Sequence, residues 1–288
     1  MEMVVINLLN GVSFGLILFL FAIGLTVTLG VMGLLNMTHG ALFTVGGFVG
    51  FSVVTRGGSF WLAVLLGGIA AGIMGFIIQA SFLRRLYRQL DDQVLLTLGL
   101  VYIIENTVLW IYGGDASTVS PPPLLVQKIA IGSYTFPLYR LALIVIGLIM
   151  FLVLWWLVEK TRLGAIVRAG MDDREMTVAL GLNYASTCGA VFSLGAFVGG
   201  LAGFLATPVI GIVFSMSMEI LLYALIVIVV GGSGSVVGTL IGAITIGIVD
   251  AFGKAWFPDL AMFTMYIVMI IVLLVKPTGI MGRKTWED

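Results

Sequence analysis

From Met3 to Thr55 the chain carries no Asp, Glu, Lys or Arg. Two further charge-free runs follow, Gly57–Leu83 and Met176–Met218. A fold surrounded by water has no way to bury that much continuous apolar length, whereas a bilayer accepts any apolar run longer than about 18 residues as a helical span. Only 10% of the 288 residues are charged and 60% are hydrophobic, against roughly one-quarter charged in soluble domains. The expectation is an all-α polytopic membrane protein, one transmembrane domain over residues 1–288, with about 8–10 transmembrane helices.

Hydropathy divides the chain into nine segments, at about 8–31, 35–54, 60–80, 93–113, 138–158, 185–207, 219–231, 235–253 and 260–276. The seventh is short for a hydrocarbon core of roughly 30 Å. It abuts Gly231–Gly238, GGSGSVVG, which reads as a break between two half-helices. The second segment follows a similar polar interruption, GLLNMTHG, Gly33–Gly40. Residues 31–49 and 230–248 echo one another in small and apolar positions, which suggests a weak internal repeat with two broken helices. In transporters, interrupted helices at corresponding positions mark the substrate path. The abundant glycines, 38 in all, serve close helix packing first.

Lys and Arg set the sides. Arg84, Arg85, Arg88, Lys160, Arg162, Arg168, Arg174, Lys276, Arg283 and Lys284 share one side if the segments cross alternately, and only Arg56, Lys128, Arg140 and Lys254 fall on the other. The first side is therefore expected to be cytoplasmic, with the N-terminus opposite. Residues 114–137 form an extracytoplasmic loop in which Pro121, Pro122 and Pro123 force an extended path. It is either a connector or a contact surface for a soluble partner.

Net charge is zero, which removes the case for a nucleic-acid partner. The single cysteine, Cys188, forms no intrachain disulfide and no metal cluster, so no metal is expected. The N-terminus lacks a basic region ahead of its apolar run, so no cleavable signal is expected. No GxxxxGK[ST] loop is present, and no acid–base pair within the spans suggests an enzyme.

Eight charges fall between Glu159 and Glu175 in one loop, residues 159–184. After Asp172, Met176, Ala179 and Leu180 recur at helical spacing, and Gly181 stops the helix. Asp172 and Asp173 suit its N-terminus. An amphipathic helix here is more than a positive-inside loop requires and suits docking to a cytoplasmic partner.

The stretch DDREMTVALGLN, 172–183, resembles the coupling segment of ABC importer permeases, and its surroundings resemble the version in branched-chain amino acid permeases. GLTVTLGVMGLLNMTHGALFTVGGFV is similar to their N-terminal signature, IVVGGSGSVVGTLIGAITIGIVDAF to their C-terminal one, and VKPTGIMGR to their usual ending. The chain looks most like the first of two paralogous permeases. The resemblance implies a multi-pass subunit of the bacterial inner membrane, paired with a second paralogous permease subunit, two cytoplasmic ATPase subunits and a periplasmic substrate-binding protein. ATP and Mg would sit in the ATPase subunits, with no cofactor in this chain. The substrate would be a branched-chain or other hydrophobic amino acid, carried by alternating access. Met37-Thr38 departs from the family's usual aromatic and alanine, and the same family also carries urea, short amides and aromatic acids. A channel or secondary carrier is the rival without a coupling segment, and a membrane scaffold is a third class.

The expected substrate path comprises Asn36, Thr38, His39 and Gly40, the second break at Gly231, Gly232, Ser233 and Gly234, and the intramembrane Glu105. His39, the lone histidine, is either a pin bonded to a carbonyl at the break or a residue lining the path. Asn36 and Thr38 are placed to cap a helix starting near Gly40, whose N–H groups would suit a carboxylate. Thr38 is the residue expected to distinguish this member's solute. The second break is expected inside the bundle. Glu105 would otherwise bond Asn106 or another span, while Glu219 and Asp250 read as interfacial. ATPase coupling is assigned to Arg168, Asp172, Asp173, Glu175, Ala179 and Gly181.

Overall fold

Within lipid every backbone N–H and C=O must find a partner inside the protein, so the apolar runs form helices and the polar residues between them act as caps. The structure, a computed structural model, describes residues 2–32, 36–86 and 90–282. Gly33–Leu35, Arg88, Arg283 and Lys284 lie outside the described residues.

The helices are α1 (Glu2–Met32), α2 (Thr38–Thr55), α3 (Phe60–Ser81), α4 (Leu90–Tyr112), α5 (Leu138–Lys160), α6 (Arg162–Asp172), α7 (Arg174–Ala179), α8 (Tyr184–Ile210), α9 (Met216–Gly231), α10 (Val236–Trp256) and α11 (Ala261–Val275). Among the described residues eight are long and apolar enough to cross a membrane, and α9 is a shorter apolar helix. The nine hydropathy segments all correspond to helices. Caps fall where the sequence turns polar: Ser59, Thr161, Asp173, Asn183 and Ser235 each accept an N–H from the first turn that follows.

α1 and α8 form the centre, each with 78% of its apolar window buried, whereas α5 and α11 are peripheral at 17% and 6%. The outer faces of the peripheral helices are apolar, as lipid requires, with Val145, Leu152, Ile267 and Ile270 all exposed. Glycines let backbones touch where the central helices cross, for example α1 on α10 at Gly11–Gly247 and α2 on α8 at Gly46–Gly200. Polar cross-links fasten the layers: Tyr139 Oη donates to Leu205 O (2.7 Å), Ser193 Oγ to Gly72 O (2.9 Å), and Ser52 and Tyr112 share a hydrogen bond of 2.6 Å.

Between α4 and α5 lies a β-hairpin, β1 (Lys128–Ile131) and β2 (Tyr134–Pro137), antiparallel with Lys128 opposite Pro137. In this segment, expected to run extended at its prolines as a connector or a contact surface, Pro122 is extended (φ −53°, ψ 146°); a single 3-10 turn, Pro123–Leu125, follows, and the strands fold back at Gly132, whose φ is +62°. Glu2 accepts the Ser133 N–H (2.9 Å), so the start of α1 lies at this hairpin end. Arg84, Arg85, Lys160, Arg162, Arg168 and Lys276 gather at the opposite, basic end. Exposed Trp61, Trp110 and Trp256 ring the hairpin end and exposed Trp156 marks the basic end, the arrangement of aromatic side chains at two membrane interfaces.

Both sequence breaks are reversals of direction, and they do not sit at the same depth. Gly231 packs on Gly238 and Gly242 on Val227, so α9 and α10 form an antiparallel hairpin. Its turn lies at the basic end, which corrects the expectation of two half-helices meeting inside the bundle. α2 begins well inside, since His39 contacts Phe21, about 28 Å along α1 at 1.5 Å per residue. Its structural counterpart is the start of α9 rather than the echoed α10: Thr44 and Ser217 hydroxyls are 3.0 Å apart. The preceding residues dip inward, with Ile212 fully buried against Gly47.

Candidate functional site

The start of α2 is assembled from four helices. Asn36 Oδ1 accepts from the Thr38 N–H (3.1 Å) and the Thr38 hydroxyl (2.6 Å), and Asn36 O accepts from His39 N (3.3 Å). Met37 N donates to Thr97 Oγ1 of α4 (3.4 Å). The helix thus starts at Thr38, two residues earlier than expected. Three N–H groups that would have faced a carboxylate are already engaged, which removes most of the predicted anion cradle. The Thr38 hydroxyl is fully buried and turned back on Asn36.

His39 is 1% exposed and its Nε2 lies 3.0 Å from Phe21 O, with the two rings stacked obliquely at 4.9 Å. This is the pin geometry: the imidazole N–H donates to a carbonyl in the middle of α1 and ties the new helix to it. Gly24 of α1 and Gly199 of α8 leave room for the ring. Gly40 closes the arrangement, because a Cβ there would collide with the Ser217 carbonyl of α9. Asn36 is 1% exposed, and its Nδ2 is buried without a partner.

Glu105 is buried in α4 and its Oε1 has no partner. It does not bond Asn106, which instead donates to Tyr102 O on the outer face (2.8 Å). The second reversal is built differently. Gly231 and Gly232 are buried, Gly234 is half-buried and Ser233 is exposed. The C-terminal segment lies over them, with Ile280 N donating to Val230 O (2.8 Å) and Met281 N to Gly231 O (2.9 Å). The structure does not bring Gly231–Gly234 together with Asn36–Gly40.

At the basic end, α6 and α7 meet at Asp173, which is extended (φ −151°) and whose Oδ1 accepts Met176 N (2.9 Å). Asp172 closes α6 rather than opening the next helix. Gly181 stops α7 with φ +77°. Met176, Val178 and Leu180 are exposed, Leu180 at 70%, as are Asp173, Glu175 and Ala179. Arg168 points away from this face: it donates to Val158 O and lies 3.6 Å from Glu159. Its place is the joint between α5 and α6. Gly170 of α6 packs against the Tyr184 ring at the start of α8, so α6 bears on the central helix.

Sequence reasoning missed Ser217, whose signal was hidden in a methionine-rich run, and a polar group at the hairpin end. There Lys254 Nζ bonds Asp250 Oδ2 (2.7 Å), and Arg140 donates to Asn10. Asp250 is buried among the helices at this end, near the end of its span. The i, i+4 spacing of Asp250 and Lys254 was the available clue.

The bundle, with its buried helix start and the exposed pair α6 and α7, is that of a polytopic helical membrane protein. Residues 7–273 match the family described as branched-chain amino acid transport system / permease component, and the chain belongs to it. It is 28% identical to the high-affinity branched-chain amino acid transport system permease protein LivH of Escherichia coli K12, covering 98% of this chain and 96% of that one. It is 29% identical, with the same coverage, to the corresponding protein BraD of Pseudomonas aeruginosa. A more distant likeness, 25% over 85% of this chain and 76% of the relative, is to the ribose import permease protein RbsC of Haemophilus influenzae. No solved structure matches.

Proposed function

We propose that the chain is the membrane subunit of an ATP-driven importer of branched-chain or other hydrophobic amino acids in the bacterial inner membrane. The observation that carries the reading is the exposed apolar pair Met176 and Leu180, which lie one helical turn apart at the end of α7. Among the described residues nothing covers Met176 or Leu180, both more than half exposed, although the helix that carries them is capped and glycine-terminated. In this reading they seat in a cytoplasmic ATPase subunit, one of two that hold ATP and Mg, and the hairpin end faces a periplasmic binding protein. A second, paralogous permease subunit completes the membrane unit.

The packing supports a route for the motion. α7 continues into α6, α6 presses on α8 through Gly170 and Tyr184, and α8 touches Gly24, His39 and Phe43 through Gly195, Gly199 and Gly203. Displacing the elbow would move the helix that flanks the His39 joint, opening the path to one side at a time. A second reading keeps the importer and changes the solute, and the likeness to a ribose import permease favours keeping it in the test.

The test is co-purification with the ATPase, then ATP hydrolysis in the reconstituted complex with loaded binding protein. Leucine, isoleucine and valine should stimulate turnover, and urea, short amides, aromatic acids and ribose should not. Leu180→Asp should abolish ATPase association while leaving the chain folded. Association that survives this change would remove α7 from the interface.

A further inference from the structure

At the hairpin end, α1, α5, α8 and α10 enclose a cavity of about 420 Å³ with Asn7, Asn10, Arg140, Asp250 and Lys254 on its walls. The charges are uneven: Arg140 and Lys254 contribute two positive charges and Asp250 one negative, leaving one net positive charge. The hydrogen-bonding capacity is uneven in the same sense. Arg140 donates to Asn10, but a guanidinium has five N–H groups. Lys254 bonds Asp250 and lies 5.4 Å above the Phe14 ring, with donors to spare. Asn7 Nδ2 is buried and without a partner. The unmet group is a donor, and a ligand matched to it presents acceptor oxygens. Glu219, on α9, accepts from Tyr223 (2.8 Å) and does not line the cavity.

The remaining wall is apolar: Phe14, Ala251 and Ala255, with Val209 and Ile210 from the last turn of α8. The cavity also lies at a defined level. Lys254 is two residues from exposed Trp256, and Arg140 is in the first turn of α5, directly after the hairpin. That is the level of the interfacial aromatic side chains, where phospholipid headgroups sit.

We propose that this cavity is a binding site for the phosphate of an anionic phospholipid. Arg140 and Asn7 bind the phosphodiester oxygens, Lys254 adds charge while held by Asp250, and the first methylenes of an acyl chain lie along Phe14 and the end of α8. One monoanionic phosphodiester balances the single excess positive charge. Basic pockets between spans hold lipid headgroups on the cytoplasmic side of membranes, and the same pairing of cation and phosphate is available at the hairpin end.

The shared chemistry, an anionic phosphate, could come from lipid or from free phosphate, and the experiment separates them. The full-length chain in non-ionic detergent is titrated with phosphatidylglycerol, phosphatidylcholine, diacylglycerol of the same chains, inorganic phosphate and free leucine. Native mass spectrometry counts bound molecules and the thermal midpoint reports their effect. The expected result is one phosphatidylglycerol retained against a tenfold excess of phosphatidylcholine, with no effect of diacylglycerol. Arg140→Gln should weaken it about tenfold or more, the factor that corresponds to about 1.4 kcal/mol. Asn7→Leu should weaken it several-fold, and Arg140→Lys should retain part of the affinity. Equal binding of diacylglycerol, binding of inorganic phosphate as tight as that of the lipid, or displacement by free leucine would each overturn the proposal. Should Arg140→Gln not fold, unchanged affinity in both Asn7→Leu and Arg140→Lys would do the same.

Discussion

The chain reverses direction before α2 and again before α10, and the two reversals, alike in sequence, are held by different forces. The first is buried and non-local. Its residues bond Phe21 of α1 and Thr97 of α4 and pack on Ser217 of α9. The second is at the basic end and is held by the α9–α10 pair and by the C-terminal segment over it. Ser235 caps α10, and residues 279–282 lie over the end of α9. A joint that ties four helices together cannot shift without moving them, whereas the second turn engages only α9, α10 and the segment that covers it. The first reversal is therefore where helix motion would be transmitted, and the second is an anchor for the α9–α10 pair.

The largest effect that separates them is expected at Gly40. A side chain there meets the Ser217 backbone, so no side-chain rotation relieves the clash and the helices themselves must part. Gly40→Leu should cost roughly 3 kcal/mol or more, beyond the usual range of overpacking, and abolish uptake. Unfolding of the purified chain and solute uptake in vesicles would measure both. Normal uptake would show that the α2–α9 contact opens freely.

Next comes His39. Removing the ring loses the bond to Phe21 O and leaves a cavity beside Phe21, together about 2 kcal/mol. If His39 is a pin, His39→Ala should lower the unfolding midpoint, and uptake should fall through Vmax with KM unchanged. A raised KM with full stability would make it a path residue instead.

How much of this was legible follows from what each residue touches. The spans were readable because lipid imposes one rule on every residue of a helix, and the cap at Asp173 was readable because its partner lies three residues ahead. Gly181 likewise announced its positive φ. The His39 joint was visible as an oddity, but its partners Phe21, Thr97 and Ser217 come from distant segments with no sequence signal of their own. The echo between residues 31–49 and 230–248 misled for the same reason. It matched local composition, while the depth of each reversal depends on where neighbouring helices begin. Asn7 and Arg140 were missed because a polar cavity between four helices is a property of their packing.

A smaller effect is expected at Gly232. Its φ of +99° is strained for any side chain, and a Cβ would meet Gly282 and Met281. The covering segment is held there by two backbone hydrogen bonds, Ile280 N to Val230 O and Met281 N to Gly231 O, which a side chain at Gly232 would break. Gly232→Leu should cost about 1–2 kcal/mol, the scale of left-handed strain, and expose residues 276–282 to protease. Uptake should persist at reduced rate. Complete loss of uptake in a protein that remains folded would place this turn on the solute path after all.

The smallest effect, and the most direct comparison, is between the two capping residues. Ser235 Oγ accepts one N–H, from Gly238 (3.0 Å), at a half-buried position where water can replace it. Ser235→Ala should cost about 1 kcal/mol, the usual value for a lost cap. Asn36 Oδ1 takes both the N–H and the hydroxyl of Thr38, and no water reaches a residue that is 1% exposed. Asn36→Ala would leave two buried donors unpaired and should cost more than Ser235→Ala, about 2 kcal/mol or above. Paired unfolding curves of the two variants decide the matter. Equal losses would mean that the Asn36 site is hydrated in the membrane, and hydration there would turn the buried joint into part of an aqueous path.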